Sequence, residues 1–271
     1  MRRAYETLAI VAIGALALTA PALPASAGSA WDEIRPAVFG TKTLNPAGGI
    51  VELSAPARPE DQRAVPIAVE AAFKDGRTVR AVTLIVDENP TPVAAVFDIG
   101  GKRDHLKLAT KLRLNAATDV RAIVEASDGQ LYMVDRFVKF AGGQASCSAP
   151  PQGDPQEIAA NMGKMTLEAL GKPAAATPIE PSARLSISHP NHTGMVLDQL
   201  TLLYIPLRIV TDLEVMQGEE RVLAMKGSMT LSQNPVLDFD YRLNGAETLQ
   251  VLVRDSDGAS WEKTFPIGQG S

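Results

Sequence analysis

The sequence holds one cysteine and three histidines in 271 residues. So few thiols and imidazoles exclude a disulfide scaffold and a dense Cys/His metal site built within this chain. Aromatic side chains make up 5%, too few for a rich stacking surface. Positive charge is in deficit: 26 Lys and Arg against 31 Asp and Glu leave a net charge of -5, which argues against a nucleic-acid partner. What is present fits an ordinary folded protein. Hydrophobic residues are 45% and charged residues 21%, with 21 Gly and 19 Pro, excluding a mainly disordered or collagen-like chain. The length allows one large domain or two smaller ones, each able to bury a core.

The first 27 residues read as a cleaved signal peptide. Arg2 and Arg3 precede an apolar run, Leu8–Leu18, of 11 residues, about half the roughly 20 that a membrane span needs. Pro21 and Pro24 break it before Ala25-Ser-Ala27, a small-x-small cleavage pattern. Gly28 is the expected mature start, and the mature protein is expected in the periplasm with no membrane span.

Export gives the lone cysteine a particular meaning. Oxidising compartments favour paired cysteines, and an unpaired one is a candidate for intermolecular pairing or a free reactive thiol. Cys147 stands in Phe140-Ala-Gly-Gly-Gln-Ala-Ser-Cys-Ser-Ala-Pro-Pro-Gln-Gly-Asp-Pro155. No large apolar residue lies between Phe140 and Ile158, so no core-facing periodicity places the thiol inside. The expectation is an exposed, functional thiol on an arm made flexible by Gly142 and Gly143. An unperturbed thiol has a pKa of about 8.5, and the nearest cation in sequence is Lys139. The arm itself therefore shows no strong activation, which suits a substrate carrier better than an enzyme.

The flanking regions read as all-β, forming two immunoglobulin-like sandwiches. Residues 50 to 140 break into short β-rich runs: Ile50–Ser54, Val65–Ala72, Val79–Val86, Ala94–Ile99, Leu106–Leu114, Val120–Ala126 and Leu131–Phe140. Residues 182 to 268 repeat the pattern at Arg184–Ser188, Ile209–Met216, Arg221–Met225, Val236–Leu243, Leu249–Asp255 and Trp261–Ile267. Asp75-Gly76, Asp128-Gly129, Asn244-Gly245 and Asp257-Gly258 read as hairpin turns. Trp31–Phe39 is expected to form a helical turn or two across an open edge. Between the sandwiches, Asp154 as cap, Pro155, and Ile158, Met162, Met165 and Leu170 at near-helical spacing predict one helix, ended by Gly171 and Pro173. Pro173–Pro181 reads as a semi-rigid linker. The expected organisation is a leader over 1–27, a sandwich over 28–146, arm, helix and linker over 147–181, and a second sandwich over 182–271.

Several motifs then point to a known family. Ile187-Ser-His-Pro-Asn-His-Thr-Gly194, Ile205-Pro206, Leu231-Ser-Gln-Asn-Pro235 and the Asp255-Ser-Asp-Gly258 turn make the second half resemble the SoxZ subunit of the sulfur-oxidation carrier. Asn89-Pro-Thr-Pro92, Leu112–Asp119, and Ser127-Asp-Gly129 leading through Val138-Lys-Phe140 to Gly142-Gly143 make the first half resemble SoxY. The order, Y then Z in one chain, is similar to the SoxYZ-like carriers associated with quinoprotein alcohol dehydrogenase systems. The resemblance implies that the Y-like and Z-like domains pair within the chain. It also implies a swinging arm whose cysteine, here Cys147, carries sulfur intermediates covalently between periplasmic redox enzymes. One departure stands out: the separate SoxY chain ends in Gly-Gly-Cys-Gly-Gly, whereas Ser148-Ala-Pro-Pro151 follows Cys147 here, so the arm is tethered at both ends.

The histidines give weaker signals. His189 and His192 straddle Pro190-Asn191, but without a third nearby ligand the plainer reading is a turn whose imidazoles bond to backbone or face the other domain. His105 reads as surface. No nucleotide-binding glycine loop and no catalytic signature appears, so neither a cofactor nor a metal is expected. The alternative function is a non-enzymatic accessory or binding protein for a periplasmic quinoprotein alcohol dehydrogenase. A metal-handling role using Cys147, the histidines and some of the eight Met is a third.

Overall fold

Alternating burial dictates most of the architecture. In the computed structural model, which describes residues 29–140, 142, 145–170, 180–199 and 201–267, the run Leu106, Leu108, Leu112, Leu114 is buried while Lys107 and Lys111 face out. That is the period-2 pattern of a strand with one face on a core. The expected leader, Gly143 and most of the expected linker lie outside the described residues.

The first half contains helix α1 (Ala30–Phe39) and strands β1 (Leu44–Pro46), β2 (Val51–Ser54), β3 (Val65–Ala72), β4 (Val79–Val86), β5 (Val93–Ile99), β6 (His105–Leu112), β7 (Thr118–Ala126) and β8 (Leu131–Val138). Then come α2 (Pro155–Asn161) and β9 (Met165–Leu170). The second half contains β10 (Ser182–Ile187), β11 (Val210–Gln217), β12 (Glu220–Gly227), β13 (Val236–Asp240), β14 (Thr248–Asp255) and β15 (Ser260–Pro266). Both halves are immunoglobulin-like, and each contributes strands to two facing sheets.

Those sheets do not stop at the boundary between the halves. One runs β1-β8-β7-β4-β5-β12-β11-β14-β15, the other β2-β3-β6-β13-β10-β9. β5 pairs antiparallel with β12, setting Phe97 opposite Met225, and β6 pairs antiparallel with β13, setting Leu108 opposite Phe239. One apolar cluster fills the space between the sheets from Val51 to Phe265, with Phe97 and Phe239 both fully buried. The two immunoglobulin-like sandwiches are thus also joined edge to edge, so that both sheets and the core between them continue from one half into the other.

Helix α1 lies on the outer face of the nine-stranded sheet. Ile34 packs with Ile85, Ile123 and Leu131, and Trp31 sits under the Arg121 guanidinium, 4.4 Å from its carbon to the ring centroid. Asp128-Gly129 and Asp257-Gly258 do close hairpins, β7–β8 and β14–β15. Asp75-Gly76 and Asn244-Gly245 do not: β3 and β4, like β13 and β14, belong to opposite sheets. A turn signal fixes a local reversal of the chain, not the pairing of what it joins.

The long helix is also corrected. α2 starts as expected, with Asp154 Oδ1 accepting from the amides of Gln156 at 2.7 Å and Glu157 at 3.1 Å. It ends at Asn161, and Met165 and Leu170 lie on β9, paired with β10. Gly163 forces the break. Its φ is +79°, and a Cβ there would lie 2.1 Å from the Trp261 ring, so the backbone must turn out of the helix where only glycine fits.

Candidate functional site

Three loops converge at one end of the seam between the halves. The chain leaving β6 carries Arg113, Leu114 and Asn115. The loop between β10 and β11 carries His189 to Thr193, and the loop between β12 and β13 carries Met229 to Asn234. The turn Ala145–Ser148, which brings Cys147, docks against them. The Cys147 amide donates to Asn115 Oδ1 at 3.1 Å from the first half, and its carbonyl accepts from Thr193 Oγ1 of the second. Ser146 Oγ donates to the Leu114 carbonyl at 2.8 Å, and the Ser148 amide closes the turn onto the Ala145 carbonyl at 3.1 Å. Further out, the Gly142 carbonyl accepts from Gln62 Nε2 at 2.9 Å, and Gln152 and Gln233 exchange amide hydrogen bonds of 2.8 and 2.7 Å.

Cys147 is fully buried, which corrects the expected exposed thiol. The physical reason is polar anchoring. Cys147 belongs to neither apolar cluster; backbone hydrogen bonds from both halves hold its turn in the seam instead. Burial pushes the thiol pKa up, while the Arg113 guanidinium and a hydrogen bond from Ser146 oppose that push. The docked thiol is therefore held protonated at neutral pH and shielded from reagents.

Arg113 is the principal charge at the site. It is 6% exposed. Its Nη1 donates to the carbonyls of Asn191 at 2.8 Å, Leu231 at 2.9 Å and Met229 at 3.1 Å, all in the second half. Burial lowers its pKa to about 10, so it remains charged. Asn191, held at φ +49°, ties the same loops together: Nδ2 donates to Leu231 O at 2.7 Å and Oδ1 accepts from the Val210 amide at 2.9 Å.

The histidines fall into different roles. His189 is structural. Its Nδ1 accepts from the Asn191 amide at 3.0 Å, its Nε2 lies 3.5 Å from Asp255 Oδ2, and its ring meets the Trp261 edge. Burial draws its pKa down to about 4. His192, the residue after Asn191, whose carbonyl holds Arg113, is lowered too, by burial and then by Arg113 and Arg208. Its Nδ1 is buried with no hydrogen-bond partner among the described residues. His105 is more than surface: it opens β6 and stands 3.5 Å from Asp240 Oδ2. His105, Glu180 and Asp240 have donor atoms close enough to share an ion, but Arg103 already pairs with both carboxylates.

Arg113 was not singled out by sequence reasoning. It alternates with Leu112 and Leu114, and in a strand pattern that places it on the outer face. The outer face here is the seam.

Comparison with known families agrees with this architecture. Residues 35–144 match the model of sulfur oxidation protein SoxY, and residues 173–266 match that of sulphur oxidation protein SoxZ. The chain belongs to these two families, one domain of each in that order, as a fused SoxYZ-like protein. Among solved structures, the sulfur carrier protein SoxY from Chlorobium limicola f thiosulfatophilum is 23% identical, over 41% of this chain and 92% of that one, with a TM-score of 0.36. A beta-glycosidase from Bacteroides vulgatus is 9% identical over 80% of this chain and 24% of that one, with a TM-score of 0.23. No curated protein matches the chain.

Proposed function

We propose that the protein is a non-enzymatic covalent carrier of sulfur-containing intermediates, with the Cys147 thiolate as the attachment point. It acts in the periplasm and passes its cargo between redox enzymes of a sulfur-oxidation or quinoprotein dehydrogenase system. The observation that carries the reading is the position of the single cysteine. It lies at the junction of a SoxY and a SoxZ domain, on a turn that both domains grip by hydrogen bonds to backbone. The docked thiol is stored, and the working thiol is the released one. Release breaks a few hydrogen bonds, each worth about 1 kcal/mol net, with Gly142, already at φ +92°, available as the near-side pivot. The Arg2-Arg3 pair and the apolar run after it support export.

Tetrathionate provides the test. The Cys147 thiolate attacks the central S–S bond, forming Cys–S–S–SO3⁻ and expelling thiosulfate, so electrons balance without an external oxidant. The native full-length protein should gain one S2O3 group, removable by reductant, and Cys147→Ser should gain none. A second reading, an accessory module whose cysteine only packs, is favoured by one observation, the complete burial of Cys147. An adduct that forms only after denaturant is added, with a Cys147→Ala loss of about 2 kcal/mol or more, would establish that reading instead.

A further inference from the structure

Beside the cysteine turn lies a cavity of about 140 Å³, walled by Ser146, Arg113, His192, Arg63 and the Ala149–Gln152 segment. At about 30 Å³ per water it has room for a handful of waters. It is far below the 300 Å³ or more of a site for a drug-sized ligand. Among the described residues, its wall contains no carboxylate.

The polar groups around it sort cleanly. The Asn191 amide is used up by Leu231 and Val210, and Gln233 is used up by Gln152. Thr193 Oγ1 serves Cys147 and the Met195 amide. Arg63 is answered by Asp61, through contacts of 2.9 and 3.0 Å. Two groups remain open. Among the described residues no carboxylate pairs with Arg113, whose Nη2 makes only a long 3.5 Å contact to Pro190 O. Among the same residues, His192 Nδ1 is buried with no hydrogen-bond partner. A buried guanidinium neutralised only by carbonyl dipoles and a buried orphan ring nitrogen are each costly. A small anion accepting from both would relieve both costs, through the charge-assisted bonds that Arg makes to oxyanions.

We propose that this cavity is a binding site for a small oxyanion of sulfur, held by the Arg113 guanidinium and by His192 donating from Nδ1. The assignment of the ligand to sulfur rests on the carrier reading above; the site itself does not. The same chemistry has two sources: the terminal sulfonate of a cargo on Cys147, one residue from the cavity wall at Ser146, or a free anion such as sulfate. In the first case the site is a specificity pocket that holds a sulfonate-ended cargo while the arm is docked.

The experiment is a calorimetric titration of the full-length protein with sodium sulfate, in chloride buffer at constant ionic strength. Wild type and Cys147→Ser should both bind saturably. Arg113→Gln and His192→Ala should each weaken binding at least tenfold. Arg113 also holds three carbonyls of the other half, so Arg113→Gln can fail by misfolding; His192→Ala is the variant that decides. Protein preloaded with tetrathionate separates the sources. Loss of sulfate binding on loading identifies the cargo sulfonate as the occupant, and retained binding identifies the free anion. No saturable heat with wild type, or unchanged affinity in His192→Ala, would overturn the site. A protein that binds sulfate yet never accepts a thiosulfonate on Cys147 would keep the site and lose the carrier reading, so the two failures are distinguishable.

Discussion

Arg103 and Asp240 meet across the seam between the halves as a buried ion pair. Arg103 Nη2 lies 2.9 Å from Asp240 Oδ1, with the two side chains 4% and 3% exposed. Nη1 of the same arginine donates to the Asp240 carbonyl at 2.6 Å. Burial raises the Asp240 pKa, and Arg103 opposes the rise. The pair fastens β13 of the SoxZ half to the turn before β6 of the SoxY half, at the other end of the seam from Cys147.

Removing one partner should cost far more than removing both. Arg103→Met leaves a carboxyl group buried without its counter-charge, and should destabilise the protein by about 3–5 kcal/mol. Arg103→Met with Asp240→Leu should recover much of that. Urea denaturation of the three proteins at neutral pH checks this, and equal losses for single and double variants would show that the pair contributes little.

The continuous sheet makes Gly100 a point of close approach. Its amide donates to Val222 O at 2.9 Å, and a Cβ there would lie 1.5 Å from the Arg221 carbonyl oxygen. Gly100→Ala must push β5 away from β12, the strand pairing that joins the halves in that sheet. A loss of about 3 kcal/mol or more is expected, read as a drop in melting temperature. Gly245→Ala, where nothing lies within 4 Å but φ is +90°, should cost about 1 kcal/mol from backbone strain alone.

His189 sets an acid limit on stability. Its pKa is about 4 in the fold, against about 6.5 in an unfolded chain. The unfolded state therefore binds the proton more readily. The stabilising effect of a neutral His189 is complete above about pH 6.5 and is lost as the pH falls from there through about 4. The loss is on the order of 3 kcal/mol. Thermal melts across that window should show the fall in wild type and a shallower one in His189→Gln.

Freeing the cysteine turn should be a matter of single hydrogen bonds. Thr193→Val removes the donor to the Cys147 carbonyl, and Asn115→Ala removes the acceptor for its amide. Each net bond is about 1 kcal/mol, so either change should raise the alkylation rate of native Cys147 by roughly fivefold. Alkylation followed by mass spectrometry reads this directly. Unchanged rates would mean that the turn is held by something other than these bonds.

Much of this fold is legible in the sequence, and the parts that are not share a cause. Strand positions follow from alternation, as in Leu106–Leu114, and the N-terminus of α2 from Asp154 and Pro155. Alternation says which face of a strand is buried; it does not say which strand lies alongside. The pairing of β5 with β12 and of β6 with β13 therefore stays invisible, and with it the single core. The burial of Cys147 is hidden for a related reason. No apolar periodicity marks it, because the groups that hold its turn are Asn115, Ser146 and Thr193, polar residues remote from it in sequence or too ordinary to stand out. The extended helix failed at Gly163, a glycine inside an otherwise acceptable helical pattern. Only the Trp261 ring, distant in sequence, explains why it must be there.

The two shared pairings also bear on why the halves travel in one chain. Each half alone would present two raw sheet edges: β5 and β6 on one, β12 and β13 on the other. Such edges are templates for pairing with any extended strand. Synthesised as one polypeptide, each edge has its own complement 124 to 132 residues further along the same chain and in equal number. Neither half can be left over. The covalent tie thus keeps each edge at high local concentration with its complement.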